Sequence, residues 1–150
     1  MTLSLLTLLG ALSCAHDPSE RAPAIAPLQE KGTVTLNPND ARAFKRLTDD
    51  LAGREVVYLG EIHDRYDHHV NQLRIIRTLH EGGTDLAVGM EAFQKPYQRY
   101  LDDYVNGRIS ESAMLRASQF YVCWRFDYRL YRDILRFARD QSIPIVALNA

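Results

Sequence analysis

Three short apolar runs, separated by amphipathic stretches, set the pattern of the chain from residue 33 onward. They are 55–59 (EVVYL), 85–90 (DLAVGM) and 143–148 (IPIVAL). Each is bounded by Gly, Pro or charge and is too short for a helix. Runs that carry so few polar residues predict strands covered on both faces, as in a parallel sheet. Between them the spacing of apolar residues is helical. Asn39 or Asp40 caps a first helix that turns Phe44, Leu47 and Leu51 inward and closes at Gly53. A second starts near Asp67, carries His69, Leu73, Ile76 and His80 on its inward row, and stops at Gly82-Gly83. Pro96 suits the first turn of a third, with Tyr97, Leu101 and Tyr104, and Ser110 caps a fourth with Met114 and Leu115. A fifth is predicted from about 125 to 141. Strand, helix, strand, helices, strand predicts an α/β fold: a parallel β-sheet with crossover helices on both faces. A buried strand at the end of the chain, with nothing after it to cover it, predicts an N-terminal fragment of a larger α/β domain.

The first 32 residues follow another pattern. Leu3, Leu5, Leu6, Leu8, Leu9 and Leu12 form an apolar run without charge that ends at Ser13-Cys14. It is too short to cross a bilayer as a helix and reads as the apolar part of a bacterial export signal. Small residues before a cysteine resemble a lipobox, in which Cys14 is lipidated and becomes the mature N-terminus. Residues 15–32 hold Pro18, Pro23 and Pro27 among Ala, Ser, Glu and Gln, the composition of an extended tether. The expected organisation is therefore a leader at 1–14, a tether at 15–32 and a folded domain at 33–150.

Composition narrows the classes of function. The chain has 150 residues, 46% hydrophobic and 25% charged, with a formal net charge of −1. These are globular values, and the charge balance argues against a nucleic-acid partner. Two cysteines, Cys14 and Cys123, make no disulfide framework.

Candidate chemistry gathers at the strand ends. Gly60-Glu61-Ile62-His63-Asp64 follows the first strand, with His68-His69 soon after. Met90-Glu91 ends the second strand, and Asn149 ends the third. The carboxyl ends of parallel strands share one edge, where α/β folds bind ligands. Glu61, His63, Glu91 and Asn149 are thus expected to converge, with Glu61, His63 and Glu91 as one hydrogen-bonded or metal-linked unit. Such a set suits a divalent metal such as zinc or manganese, general acid–base chemistry, or a cofactor. His80, late in its helix, reads as structural, and His16 as idle.

The run Leu59-Gly60-Glu61-Ile62-His63-Asp64 with His68-His69 resembles the signature of the ChaN-like haem-binding lipoproteins. Gly89-Met90-Glu91-Ala92-Phe93, the segment Trp124, Asp127-Tyr128 and Tyr131, and Ala147-Leu148-Asn149 fit the same family. The resemblance spans roughly 33–150. It implies a haem-binding protein of iron acquisition at the outer membrane, without catalysis, whose iron is bound through a tyrosine and which pairs as a homodimer. An outer-membrane haem receptor is an implied partner. The family is similar to a wider group of Tiki-type metalloproteases and erythromycin esterase-like enzymes. That kinship implies the rival reading, a metal-dependent hydrolase using Glu61, His63 and Glu91.

The predicted fifth helix has a physical reading of its own. Phe126, Leu130, Ile134 and Phe137 fall on one arc, and Trp124, Tyr128, Tyr131, Leu135 and Ala138 on the next. Arg125, Arg129, Arg132, Arg136 and Arg139 fill the remaining arc, either as a solvated face or as a surface for carboxylates such as haem propionates. Tyr128 sits at the border, one turn from Arg132 and nearly one from Arg125. Those cations favour tyrosinate, so Tyr128 is the first candidate iron ligand. Tyr131 is the second, a residue elsewhere in the larger domain stays open as the iron ligand, and His63 is also a candidate metal ligand. His68, His69 and Arg132 complete the expected cofactor pocket.

Overall fold

The computed structural model describes residues 37–150 and the backbone of 4–7. Cys14, His16 and the stretch 15–32 lie outside the described residues. The elements are β1 (Ser4–Thr7), α1 (Ala41–Ala52), β2 (Val56–Tyr58), α2 (Tyr66–Glu81), β3 (Leu86–Gln94), α3 (Gln98–Val105), α4 (Glu111–Ala117), α5 (Phe120–Cys123), α6 (Arg132–Asp140) and β4 (Ile145–Asn149). Single 3-10 turns at Lys95–Tyr97 and Tyr128–Leu130 precede α3 and α6. The fold is α/β, as the sequence predicts, with a parallel sheet in the order β2-β1-β3-β4.

The helix boundaries follow their local chemistry. Asp40 Oδ1 accepts from the amides of Arg42 at 2.9 Å and Ala43 at 3.2 Å, which caps α1. Ser110 Oγ accepts from Ala113 N at 3.2 Å and caps α4. Gly83, at φ +83°, reverses the chain after α2 so that Thr84 N can donate to Leu79 O at 3.0 Å.

The sheet departs from expectation in three ways. Ser4–Thr7, within the segment read as a leader, pairs with both β2 and β3 as the strand between them, so the sheet has four strands rather than three. A leucine-rich run offers the extended, apolar backbone that fits between two such strands. The first predicted strand is not buried on both sides, because β2 alternates, with Val57 buried and Val56 and Tyr58 exposed. The second predicted strand does not end at Met90: β3 continues through Ala92 and Phe93, both buried, to Gln94. Glu91 therefore lies inside a strand. The β3–β4 register shifts between Met90 and Gln94, an irregularity of the kind that re-aims a side chain.

The largest correction concerns the fifth helix. Trp124 to Asp127 is loop, Tyr128–Leu130 is a 3-10 turn, and only Arg132–Asp140 is α-helix. Asp127 Oδ1 accepts from Arg129 N at 2.9 Å, a local bond that starts a new turn at 127 and breaks the periodicity drawn across it. The core is continuous beneath these elements. Leu101, Met114, Phe120, Tyr131, Leu135 and Ile145 are almost wholly buried, each side chain contributing roughly 1.5–3 kcal/mol by burial. The outer edge of β4 is met by Gln98 of α3, whose Nε2 donates to Ile145 O and whose Oε1 accepts from Ala147 N, both at 2.7 Å. One side chain thus stands in for a neighbouring strand.

Candidate functional site

The loop from Leu59 to Arg65 joins β2 to α2, and the first two turns of α2 fasten it. His68 Nδ1 accepts from Ile62 N at 3.0 Å. His69 Nε2 donates to the carbonyl oxygen of His63 at 2.9 Å. Gln72 Nε2 donates to Leu59 O at 3.1 Å and to Glu61 Oε2 at 2.9 Å. Helical spacing places His68, His69 and Gln72 close enough along α2 for all three to reach the same loop.

Glu61 is the centre of the cluster, and its side chain is only 2% exposed. His63 Nδ1 donates to Oε1 at 2.8 Å, and Tyr131 Oη donates to the same oxygen at 3.2 Å. On the other oxygen, His69 Nδ1 lies 3.0 Å from Oε2, within ion-pair distance but poorly aligned as a hydrogen bond. Burial opposes the charge on Glu61, yet His69, His63 and Gln72 together hold its carboxyl below the ordinary value. Burial likewise opposes the charge on His69, but the Glu61 carboxylate and the His63 carbonyl outweigh it and push the imidazole above its ordinary range. The result is a buried Glu61–His69 ion pair beneath a half-buried His63.

The ring of His63 packs at 4.8 Å from Trp124 and 4.7 Å from Phe126. Its side chain is 28% exposed. Nδ1 faces Glu61, and Nε2 has no hydrogen-bond partner among the described residues. Phe126 also lines a cleft of about 640 Å³ with Asp64, Tyr66 and Leu130 and the guanidinium-bearing Arg125, Arg129 and Arg132. Arg129 is tied to Asp127, with Nε 2.9 Å from Oδ2. Arg125 has no partner among the described residues. Arg132 Nε is buried without a hydrogen bond and 3.6 Å from Asp133. Asp127 and Asp133 line the cleft as well, so three carboxylates face three guanidinium groups, of which Arg125 alone lacks a partner among the described residues and is open to a ligand carboxylate.

The expected unit of Glu61, His63 and Glu91 forms in part. Glu61 and His63 are bonded, whereas Glu91 Oε2 is buried without a hydrogen-bond partner and meets the cluster through its field at Tyr131. Asn149 Oδ1 accepts from Ala150 N and does not join it. His68 latches the Ile62 backbone and lines a separate cleft with Leu59, Gly60 and Gln72, not the one at Phe126, and His80 bonds Gln141. Among the described residues, no group of three or more His, Cys, Asp or Glu is arranged to hold a metal ion.

Tyr128 is not at a border between apolar and arginine arcs. It is 4% exposed, packed edge-on against Phe120 at 5.5 Å, and burial with the neighbouring Glu111 carboxylate pushes its hydroxyl far up. Tyr131 is 1% exposed, and burial followed by the Glu61 charge pushes it up as well. Both are therefore neutral phenols inside the core, and neither lines the cleft. The helical wheel misplaced Tyr128 because the backbone changes at Asp127. Two residues of the site were missed. Gln72 and Tyr66 carry no sequence expectation, although the spacing of Gln72 from His68 and His69 along one helix is a signal for it.

No curated protein and no solved structure matches the chain. Residues 47–150, more than half of it and including the entire Glu61 cluster and cleft, match the family described as "Haem-binding uptake, Tiki superfamily, ChaN". The chain belongs to this ChaN family of the Tiki superfamily.

Proposed function

We propose that the protein binds haem in the cleft between the loop at Asp64–Tyr66 and the segment 125–133, as cargo of haem or iron acquisition at the bacterial cell envelope. The observation that carries this is the lining of the cleft. Phe126, Leu130 and Tyr66 supply apolar wall, Arg125 supplies a guanidinium group without a partner among the described residues, and Arg132 a second one that faces Asp133 at 3.6 Å. A porphyrin face needs the first and its propionates the second. Ile62 in the loop before α2 and Tyr66 and Val70 in its first turns are exposed apolar side chains, and they support pairing with a second copy. Lipidation at Cys14, with 15–32 as a tether, would hold the domain at the outer membrane in a form that has lost Ser4–Thr7, so the anchor and the strand between β2 and β3 are alternatives. Mass spectrometry of the mature protein tests the anchor: the expected N-terminus is a diacylated Cys14.

Titration of the full chain with hemin, followed by the Soret band, tests the binding reading. Saturable binding with a shifted Soret band is expected. The Glu61–His63 hydrogen bond favours a second reading, in which His63 acts as general base of a metal-dependent hydrolase. An unshifted Soret band together with stoichiometric zinc or manganese would select that reading.

A further inference from the structure

We infer that the tip of α5, Tyr121 with Val122, docks on an anionic lipid bilayer and sets the mouth of the cleft beside that surface. The inference does not depend on what the cleft holds. Of the large apolar side chains described, Val122 at 76% and Tyr121 at 65% are the most exposed. Their exposure rests on a fixed base. Phe120 beneath them is wholly buried, its ring 5.5 Å from Phe93 and 5.5 Å from Tyr128. Val122 N and Cys123 N both donate to Gln119 O, at 2.9 and 3.0 Å, and Trp124 N donates to Phe120 O at 2.7 Å. Gln119 itself stands at φ +53°, a left-handed conformation that disfavours a residue with a Cβ. That turn divides α4 from α5.

The charge around the tip selects the partner. Between 116 and 129 the chain carries Arg116, Arg125 and Arg129 against one carboxylate, Asp127. Asp127 is taken by Arg129, which also lies in the field of the Tyr121 hydroxyl. Arg116 and Arg125 are exposed, and their guanidinium groups have no partner among the described residues. An apolar point flanked by unpaired cations suits the membrane interface. The apolar side chain enters the acyl boundary, the tyrosine ring sits at headgroup level and the arginines meet anionic headgroups. Two exposed side chains on a four-residue helix are small against the roughly 800 Å² per partner of a stable protein interface. The other exposed apolar row, Ile62, Tyr66 and Val70, lacks such cations. It has Asp64 and Asp67 beside Arg65, and Arg65 is already bonded to Asp67 at 3.0 Å. Arg125 and Arg129 also line the cleft, so a bilayer under the tip lies next to its mouth.

The test is fluorescence of the full chain carrying Cys14→Ser, Cys123→Ser and Val122→Cys, with a nitrobenzoxadiazole label on its one thiol. The leucine-rich residues 3–12 can meet lipid by themselves, so sedimentation with vesicles does not discriminate and a reporter at the tip does. With vesicles of phosphatidylcholine and phosphatidylglycerol, the emission should shift to the blue and be quenched by lipids brominated in their acyl chains. Pure phosphatidylcholine vesicles, or high salt, should give neither change. Arg125→Glu and Arg116→Glu should each weaken the vesicle-dependent change by about 5- to 30-fold. The same label introduced through Ile62→Cys instead should stay unquenched. No quenching at 122 on anionic vesicles would overturn the inference, as would equal quenching on neutral vesicles or at both labelled positions. A blue shift that follows protein concentration without vesicles would overturn it too and give the tip to a second copy. If an arginine variant does not fold, the contrast between positions 122 and 62 decides the matter in folded protein.

Discussion

His69 donates from Nε2 to the carbonyl oxygen of His63 at 2.9 Å while its Nδ1 lies 3.0 Å from Glu61. One ring, itself 2% exposed, therefore holds both the backbone of His63 and the carboxylate that orients the His63 side chain. Replacing it with a ring of similar size but no nitrogens leaves Glu61 buried without its ion partner and the His63 carbonyl without a donor. His69→Phe is expected to lose about 2–4 kcal/mol of stability, the range for a broken buried pair and an unsatisfied acceptor. Urea unfolding of the two proteins measures it. A loss under about 0.5 kcal/mol, the scatter of ordinary surface changes, would mean that the latch contributes nothing.

The same pair dictates a pH profile. Glu61 is held below its ordinary 4.5, so its contribution is present above that value and is lost as pH falls through the lower folded value. His69 is held above its ordinary 6.5, so its contribution is full below 6.5 and is lost as pH rises through the higher folded value. The pair's stabilisation is therefore greatest between about 4.5 and 6.5 and declines on both sides. Melting temperature measured against pH should show an alkaline decline in the wild type that is absent in His69→Gln. Parallel alkaline limbs in the two proteins would contradict the assignment.

Gln98 makes a separable prediction about the sheet. Its amide bonds the backbone of β4 at both Ile145 and Ala147, at 2.7 Å each. Gln98→Ala should cost about 1–3 kcal/mol, since two part-buried backbone groups lose their partners. Hydrogen exchange at the Ala147 amide should accelerate by more than exchange at the Val88 amide, which donates to Pro144 O inside the sheet. Equal acceleration at both would show a global rather than an edge effect.

These side chains also show where the sequence was readable. The caps at Asp40 and Ser110, the reversal at Gly83 and the apolar runs are local signals, and local chemistry decides them. The pairing of Glu61 with His63 follows from two residues on one short loop. What could not be read was anything decided by a neighbour distant along the chain. Tyr131 donates to Glu61 across 70 positions and Gln98 caps a strand 47 positions later. The failure at Tyr128 has a different origin. Apolar periodicity alone carries a helix through 125–131, yet one Asp127 side-chain bond to the Arg129 amide resets the backbone. Every angular position assigned before that break then refers to the wrong axis.

The cleft's arginines supply the last prediction. Arg125 has no partner among the described residues, and Arg132 keeps a buried Nε without a hydrogen bond, while Arg129 is already tied to Asp127. If Arg125, and Arg132 in exchange for its 3.6 Å contact with Asp133, meet propionates, each contact is a charge-assisted hydrogen bond worth about 1–2 kcal/mol. Arg125→Ala and Arg132→Ala should each weaken hemin binding by about 5- to 30-fold, and Arg129→Ala by much less. Hemin dimethyl ester, which lacks the carboxylates, should bind the wild type more weakly and be insensitive to both substitutions. Fluorescence quenching of Trp124, which packs at 5.5 Å from Phe126 at the cleft wall, reports binding for every combination. Equal losses for hemin and its ester would place the arginines in the fold of the cleft and not against the propionates.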